Sequence, residues 1–243
     1  MDLSLLIEFT SIAVGTAIVA GVIGIAINII YLGVRKPEHR TAAAVTVLGL
    51  ISWCAVMLYL STWGNITPPT KQVITDRDFW GSLSAPVLTL APILGFFWLR
   101  RRNAALHALT DDLNMRLLVG AQAYRMTGVI FLLFALSGPM PALIGIPTGI
   151  SAFLVGLLGI GLAIFYRPHS PRWRTYSGWW NWFGLGYFSY AIILCLLCVA
   201  QVINLDPDPI PIFFYPIAFI GSFGVPFSVI LHFIFHSRLK AVA

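Results

Sequence analysis

The chain has 243 residues, of which 58% are hydrophobic and only 10% charged. A soluble domain carries about a quarter charged residues, so a soluble enzyme and a nucleic-acid-binding domain are both excluded, despite the formal net charge of +6. In so apolar a chain, the placement of the basic residues is more informative than their sum.

The apolar residues arrive in long continuous blocks, and about twenty such residues cross a hydrocarbon core about 30 Å thick. In lipid, only helices or closed barrels satisfy their backbone polar groups. Barrel strands would show short alternating runs, so the fold class expected is all-α, a polytopic transmembrane bundle in a single domain, 1–243. Seven spans are predicted, near 8–33, 41–63, 81–100, 117–137, 142–166, 178–203 and 212–236. The N-terminal "MDLSLLIEFTSIAV" lacks the basic start and cleavage site of a signal peptide, so the first span is expected to be retained as a signal anchor. The fourth and fifth spans are separated only by "SGPMPA", a tight proline turn. The connection "RRRNAALHALTDDLN" is expected to form a short amphipathic helix.

Basic residues favour the cytoplasmic side. Arg35, Lys36 and Arg40 follow the first span, Arg100 to Arg102 and Arg116 the third, Arg167, Arg172 and Arg174 the fifth, and Arg238 and Lys240 the seventh. The N-terminus is therefore expected outside, the C-terminus in the cytoplasm, and the protein in the inner (plasma) membrane. Trp179, Trp180, Trp182 and Tyr187 at the start of the sixth span, with Trp63 and Trp80 on the other side, match an interfacial aromatic belt. The competing reading of the first group is an aromatic ligand pocket.

Ionisable groups within a span are costly and point to function. Arg125, in "GAQAYRMTGVIF", is the best example, with Gln122 one turn earlier and Tyr124 adjacent. It either snorkels to the surface or bonds neighbouring carbonyls, or it holds an anionic carboxylate or phosphate between helices. No carboxylate stands opposite it, since only Glu8 approaches a span. The remaining polar residues within spans are Asn28, Ser52, Thr89, Asn181 and Gln201. Pro86, Pro92, Pro147, Pro216 and Pro226 are expected to kink helices. Gly145, Gly149, Gly156, Gly159 and Gly161 allow close packing of the fifth span.

His232 and His236 lie one helical turn apart in "GVPFSVILHFIFHSRLK". A metal would want a third or fourth ligand, and none is apparent, so both are read first as interfacial or interhelical polar groups. Cys54, Cys195 and Cys198 all fall inside apolar blocks and are read as packing residues, including the pair in "CLLC". Covalent retinal is excluded, because Lys36, Lys71 and Lys240 sit at or beyond span ends. No nucleophile–base pair or phosphate loop is visible, so catalysis is not expected and no cofactor is assigned.

The second half of the chain is similar to a widespread group of bacterial multi-pass membrane proteins of uncharacterised activity, often labelled hypothetical membrane proteins or permeases. The resemblance runs over about residues 117–240. It rests on Tyr124, Arg125, Gly128, Pro141, Pro147, Gly149 and Gly156, then on "WWNWFGLG" with Asn181 and Gly184, then on Pro226 and His232. Where that group tends to carry Gly-Asp, this chain has Ser151 and Ala152, so an acid that would face Arg125 is absent. The resemblance implies a bundle and no particular activity.

The functional expectation is a bundle that binds or translocates a small molecule or lipid at a polar pocket of Gln122, Tyr124, Arg125, Asn181 and His232. Its expected partners are membrane lipids, other membrane subunits or a small anionic ligand, and no nucleic acid. An alternative is a non-catalytic accessory subunit of a larger membrane complex. A second alternative is a redox subunit with haem or quinone near His232 and His236.

Overall fold

A computed structural model describes residues 3–62, 79–199, 202–207 and 215–241. Among them every regular element is helical. In chain order these are α1 (Leu3–Arg35), α2 (Arg40–Thr62), α3 (Phe79–Arg102), the short α4 (Ala104–Asp111), α5 (Met115–Leu136), α6 (Ala142–Ile164), α7 (Pro171–Val199) and α8 (Ile217–Ala241). Six of them, α1, α2, α5, α6, α7 and α8, are long and apolar enough to cross a membrane, the signature of a multi-pass membrane protein. The third expected span corresponds to α3, a helix of 24 residues that ends in Arg100, Arg101 and Arg102 and stands outside those six. Lys71, Trp63, Gln201 and the side chains of Trp80 and Pro86 lie outside the described residues.

The expected amphipathic helix in the connection after α3 is α4. Asn103 caps it by accepting from the Leu106 N–H at 3.0 Å, which satisfies one of the orphan donors of its first turn. The turn between α5 and α6 is made by Gly138, whose φ of +96° is open to glycine at no steric cost.

Burial places α8 at the centre. In its apolar window 78% of residues are buried, against 22% for α2. An aromatic ladder runs from the turn before α8 along its first half, a residue every four positions: Tyr215, then Phe219, Phe223 and Phe227, with successive centroids 6.5, 5.6 and 5.5 Å apart. Trp53 of α2 packs on Phe223 at 4.4 Å, and the Tyr215 hydroxyl donates to the Ser11 carbonyl of α1 at 2.9 Å. Outward-facing Phe9, Val34, Leu136, Trp179 and Trp182 remain exposed, as lipid-facing groups would.

Two stretches depart from α geometry. The middle of α5, Ala121–Gly128, is a 3₁₀ helix, and α8 contains a π segment at Ile220–Gly224. A 3₁₀ run of eight residues is uncommon. Here α6 holds it. A Cβ on Gly145, Gly149, Gly156 or Gly159 would come within 2.7 to 3.1 Å of backbone atoms of α5, namely Phe131 O, Leu132 N, Met126 N and Val119 O. Four of the five glycines expected to permit close packing thus do so. Gly161 meets nothing within 4 Å, because it points away from α5. In the π segment the Val225 N–H bonds back to Ile220 O. Pro226 has no N–H to offer Gly221 O in that register, and the Thr89 hydroxyl of α3 donates to it instead at 3.0 Å.

Basic groups gather at one end. Lys36 Nζ and His39 Nε2 both lie 2.6 Å from Asp112 Oδ2. Arg100 bonds Asp111 Oδ1 at 2.5 Å and Thr110 Oγ1 at 2.9 Å, and Arg238 donates to the Leu113 carbonyl. The Lys36 hydrogen bond foremost, then that of His39, holds the Asp112 carboxyl below its usual 3.8, against a lesser upward push from burial.

Two outcomes are expected. Gly156→Val should lower stability by about 1–3 kcal/mol or more through overpacking, whereas Gly161→Ala should be neutral or stabilising by up to about 1 kcal/mol, both read from thermal unfolding in identical lipid nanodiscs. Asp112 contributes stability that is complete above its unfolded value of about 3.9 and is lost as pH falls through its lower folded value. The difference in unfolding midpoint between the wild type and Asp112→Asn should therefore be constant above about pH 5 and shrink below about pH 4.

Candidate functional site

The 3₁₀ stretch turns three residues per turn, so Gln122, Arg125 and Gly128 line up on one side, and all three are buried. Arg125 sits at the middle of α5. Six α residues at 1.5 Å and four 3₁₀ residues at 2.0 Å put it roughly 17 Å along the helix from Met115. The snorkelling expected as one reading of Arg125 does not occur. The residue is only 4% exposed, and its guanidinium points inward, to α7 and α8.

Arg125 Nη1 lies 2.7 Å from His232 Nε2, and His232 Nδ1 lies 2.9 Å from Asn181 Oδ1. A guanidinium has only donors, so Nε2 accepts and Nδ1 carries the proton given to Asn181. His232 is thereby neutral, with both ring nitrogens committed. A haem or metal at His232 would have to displace one of these partners, and no group of three or more metal-ligating side chains occurs among the described residues. His236 stands apart, its ring edge-on to Trp182 at 5.0 Å.

The cation lies over two rings of α7, with Cζ 4.2 Å from the Phe188 centroid and 4.9 Å from that of Tyr187. Such contacts are worth about 2 kcal/mol when desolvated. Gly184 makes room for the arrangement. A Cβ there would come 2.5 Å from His232 Cε1 and 2.6 Å from Nε2. Trp180 closes the other side, its ring 4.8 Å from that of His232 and its N–H donated to Val155 O at 2.9 Å. Trp180 is thus a core residue, whereas Trp179 and Trp182 face outward. The belt expected at the start of this helix is divided between surface and interior.

A second cluster joins the 3₁₀ stretch to the end of the π segment. The Tyr124 hydroxyl lies 2.6 Å from Gly224 O and 2.5 Å from Ser228 Oγ, whose proton goes to Gln122 Oε1 at 2.8 Å. With two protons for three contacts, Gly224 O and Ser228 Oγ share that of Tyr124. Gln122 Nε2 returns to Ser228 O at 3.3 Å. The five expected site residues therefore fall into two groups. Arg125, Asn181 and His232 form one chain; Gln122 and Tyr124 are committed to Ser228 and Gly224. Sequence reasoning missed Ser228 and the contact of Gly184 with His232, and gave a pocket role for Tyr187 only as the competing reading of the aromatic belt. Helical spacing could have found the first two, since Ser228 precedes His232 by four residues and Gly184 follows Asn181 by three.

The groups left without a hydrogen-bond partner are informative. Arg125 Nε and Nη2, Asn181 Nδ2 and Thr148 Oγ1 are buried and unpaired. A cavity of about 20 Å³ touches Arg125, Tyr187, Phe188 and Ala152, so the position where the resembling group carries an acid lines the same cavity as Arg125 and is an alanine in this chain. Next to it is a larger, mainly apolar cavity of about 110 Å³, and Phe131, Tyr187, Ile220 and Val225 line both. Cys195, a free thiol like Cys54 and Cys198, lies in the wall of the larger one.

These features define a helical, multi-pass membrane protein with a buried cationic centre. The chain belongs to the family described as a domain of unknown function, DUF8737, whose family model matches residues 83–240. That segment contains every residue of the centre and both irregular helical stretches, and it excludes α1 and α2. No curated protein and no solved structure matches the chain.

Tyr124→Phe should cost about 1–2 kcal/mol, the scale of interhelical hydrogen bonds in membranes, measured as above. Histidine ¹⁵N spectra should show His232 protonated at Nδ1 and bare at Nε2, and Gly184→Ala should abolish that signature while Gly186→Ala, which meets nothing within 4 Å, should preserve it.

Proposed function

We propose that this chain binds an anionic small molecule or lipid group at an intramembrane site centred on Arg125. In this reading α3 is the seventh span, the N-terminus lies outside and the basic end, with the C-terminus, lies in the cytoplasm. The observation that carries the proposal is a guanidinium that is 4% exposed and faces no carboxylate, with no close hydrogen bond at Nε or Nη2 and only the Tyr187 hydroxyl interacting with it more loosely. An arginine keeps its charge, and burying an uncompensated ion costs several kcal/mol. No Asp or Glu among the described residues pairs with it. Cation–π contact with Phe188 and Tyr187 offsets part of that cost, and a bound anion would offset the rest. Tyr187, between the two cavities, is placed to admit such a group. His232 and Asn181 hold Arg125 in position, while Gln122 and Tyr124 are committed to Ser228 and Gly224, Tyr124 also lining the small cavity.

The test is native mass spectrometry of protein extracted from its own membrane in a lipid-retaining polymer. The wild type should carry one anionic species per chain, and folded Arg125→Gln at least tenfold less. Arg125→Lys, which keeps a charge but loses the fork, should fall between. A wild type free of any anionic species, or an Arg125→Gln form that retains it, would contradict the proposal. A stoichiometric partner protein held equally by both forms would establish the accessory-subunit reading instead.

A further inference from the structure

Resting on that reading, we infer that the ligand is a medium-chain monocarboxylate: a carboxylate bound by Arg125, with an unbranched apolar tail in the adjoining cavity between α3, α5, α6, α7 and α8. Nη1 of Arg125 is used by His232, which leaves Nε and Nη2. Those two N–H groups point the same way and form the planar fork that grips a carboxylate through two parallel hydrogen bonds. The small cavity that Arg125 lines also bears on the head group. A water needs about 10–15 Å³ of cavity, so the small cavity of about 20 Å³ matches the two oxygens of a carboxylate more closely than the bulkier head of a phosphate ester.

The tail follows from the second cavity. It begins where the first ends, at Phe131, Tyr187, Ile220 and Val225. Its volume of about 110 Å³ corresponds to about seven to eleven waters, and a methylene displaces about as much volume as a water. Its wall is apolar apart from a few hydroxyls, among them Thr148 Oγ1, which has no partner and lies one turn from Ala152 on α6. Thr148 therefore offers a further donor near the junction of head and tail. A dianion would leave surplus negative charge in this apolar setting, and an uncharged alcohol would leave the fork unpaired.

Calorimetric titration of the protein in phosphatidylcholine nanodiscs, referenced to empty nanodiscs, tests this with octanoate, acetate, 1-octanol and octyl phosphate. Octanoate should bind saturably at one per chain, at least tenfold more tightly than each of the other three. Arg125→Gln should abolish it. Ala191→Leu, which fills the wall of the larger cavity away from Arg125, should weaken octanoate at least tenfold. Acetate binding as tightly as octanoate, and lost in Arg125→Gln, would overturn the tail while leaving the anion site standing. Equal binding of octyl phosphate would overturn the carboxylate. Octanol binding as tightly as octanoate in both wild type and Arg125→Gln would overturn the inference and the anion site together. Absence of saturable octanoate binding would overturn the inference alone, the anion site then being decided by the native mass spectra.

Discussion

A guanidinium held in the middle of a helix bundle is the constraint on which the rest depends. It cannot shed its charge, and at this depth its side chain does not reach water. Every neighbour of Arg125 answers that problem. His232 accepts from Nη1, Asn181 fixes the tautomer that lets His232 accept, and the rings of Phe188 and Tyr187 present their faces to the cation. The three residues of this hydrogen-bonded chain, Arg125, His232 and Asn181, belong to α5, α8 and α7 in turn, so the centre also ties the three helices together. What the centre lacks, among the described residues, is negative charge.

The backbone is shaped to hold this centre. Eight residues of 3₁₀ helix bring Gln122, Arg125 and Gly128 into line, where an α-helix would stagger them by 60°. That conformation survives because α6 presents glycines to it, so the two backbones touch and no side chain intervenes. On the facing helix the π segment and Pro226 disturb the α pattern over one turn. Tyr124 and Thr89 take up the carbonyls of Gly224 and Gly221. Irregular backbone at membrane depth is tolerated where protein covers it, and each irregular stretch here is covered by a different helix. Mid-helix 3₁₀ and π segments often mark functional positions, and these two meet at the cationic centre.

Six of the spans were legible because continuous apolar length has one physical meaning in lipid. Arg125, Asn181 and His232 were legible because polar groups at that depth are expensive and rarely idle. The partition of the candidate residues was not. It depends on whether α5 turns by three or by 3.6 residues, and that follows from the glycine face of α6 rather than from any property of "AQAYRMTG" itself. The same tertiary contact is why Arg125 does not snorkel. Tyr187 and Trp180 were misplaced for a related reason: in "WWNWFGLGYF" the aromatic composition suits a membrane interface, but Gly184 opens one face of α7 to His232 and draws the residues on that face inward.

Ala152 offers the most direct test, because its methyl group lines the small cavity beside Arg125. The measurement is a double-mutant cycle on thermodynamic stability in nanodiscs, with Ala152→Asp and Arg125→Gln made singly and together. A guanidinium that is short of an anion should accept the new carboxylate, so Ala152→Asp should be tolerated far better beside Arg125 than beside the glutamine variant. The expected coupling is about 3 kcal/mol or more, the scale seen when one partner of a buried pair is removed. Coupling near zero, with Ala152→Asp equally damaging in both backgrounds, would mean that Arg125 is already satisfied by its neighbours, and would contradict a site waiting for a negative charge.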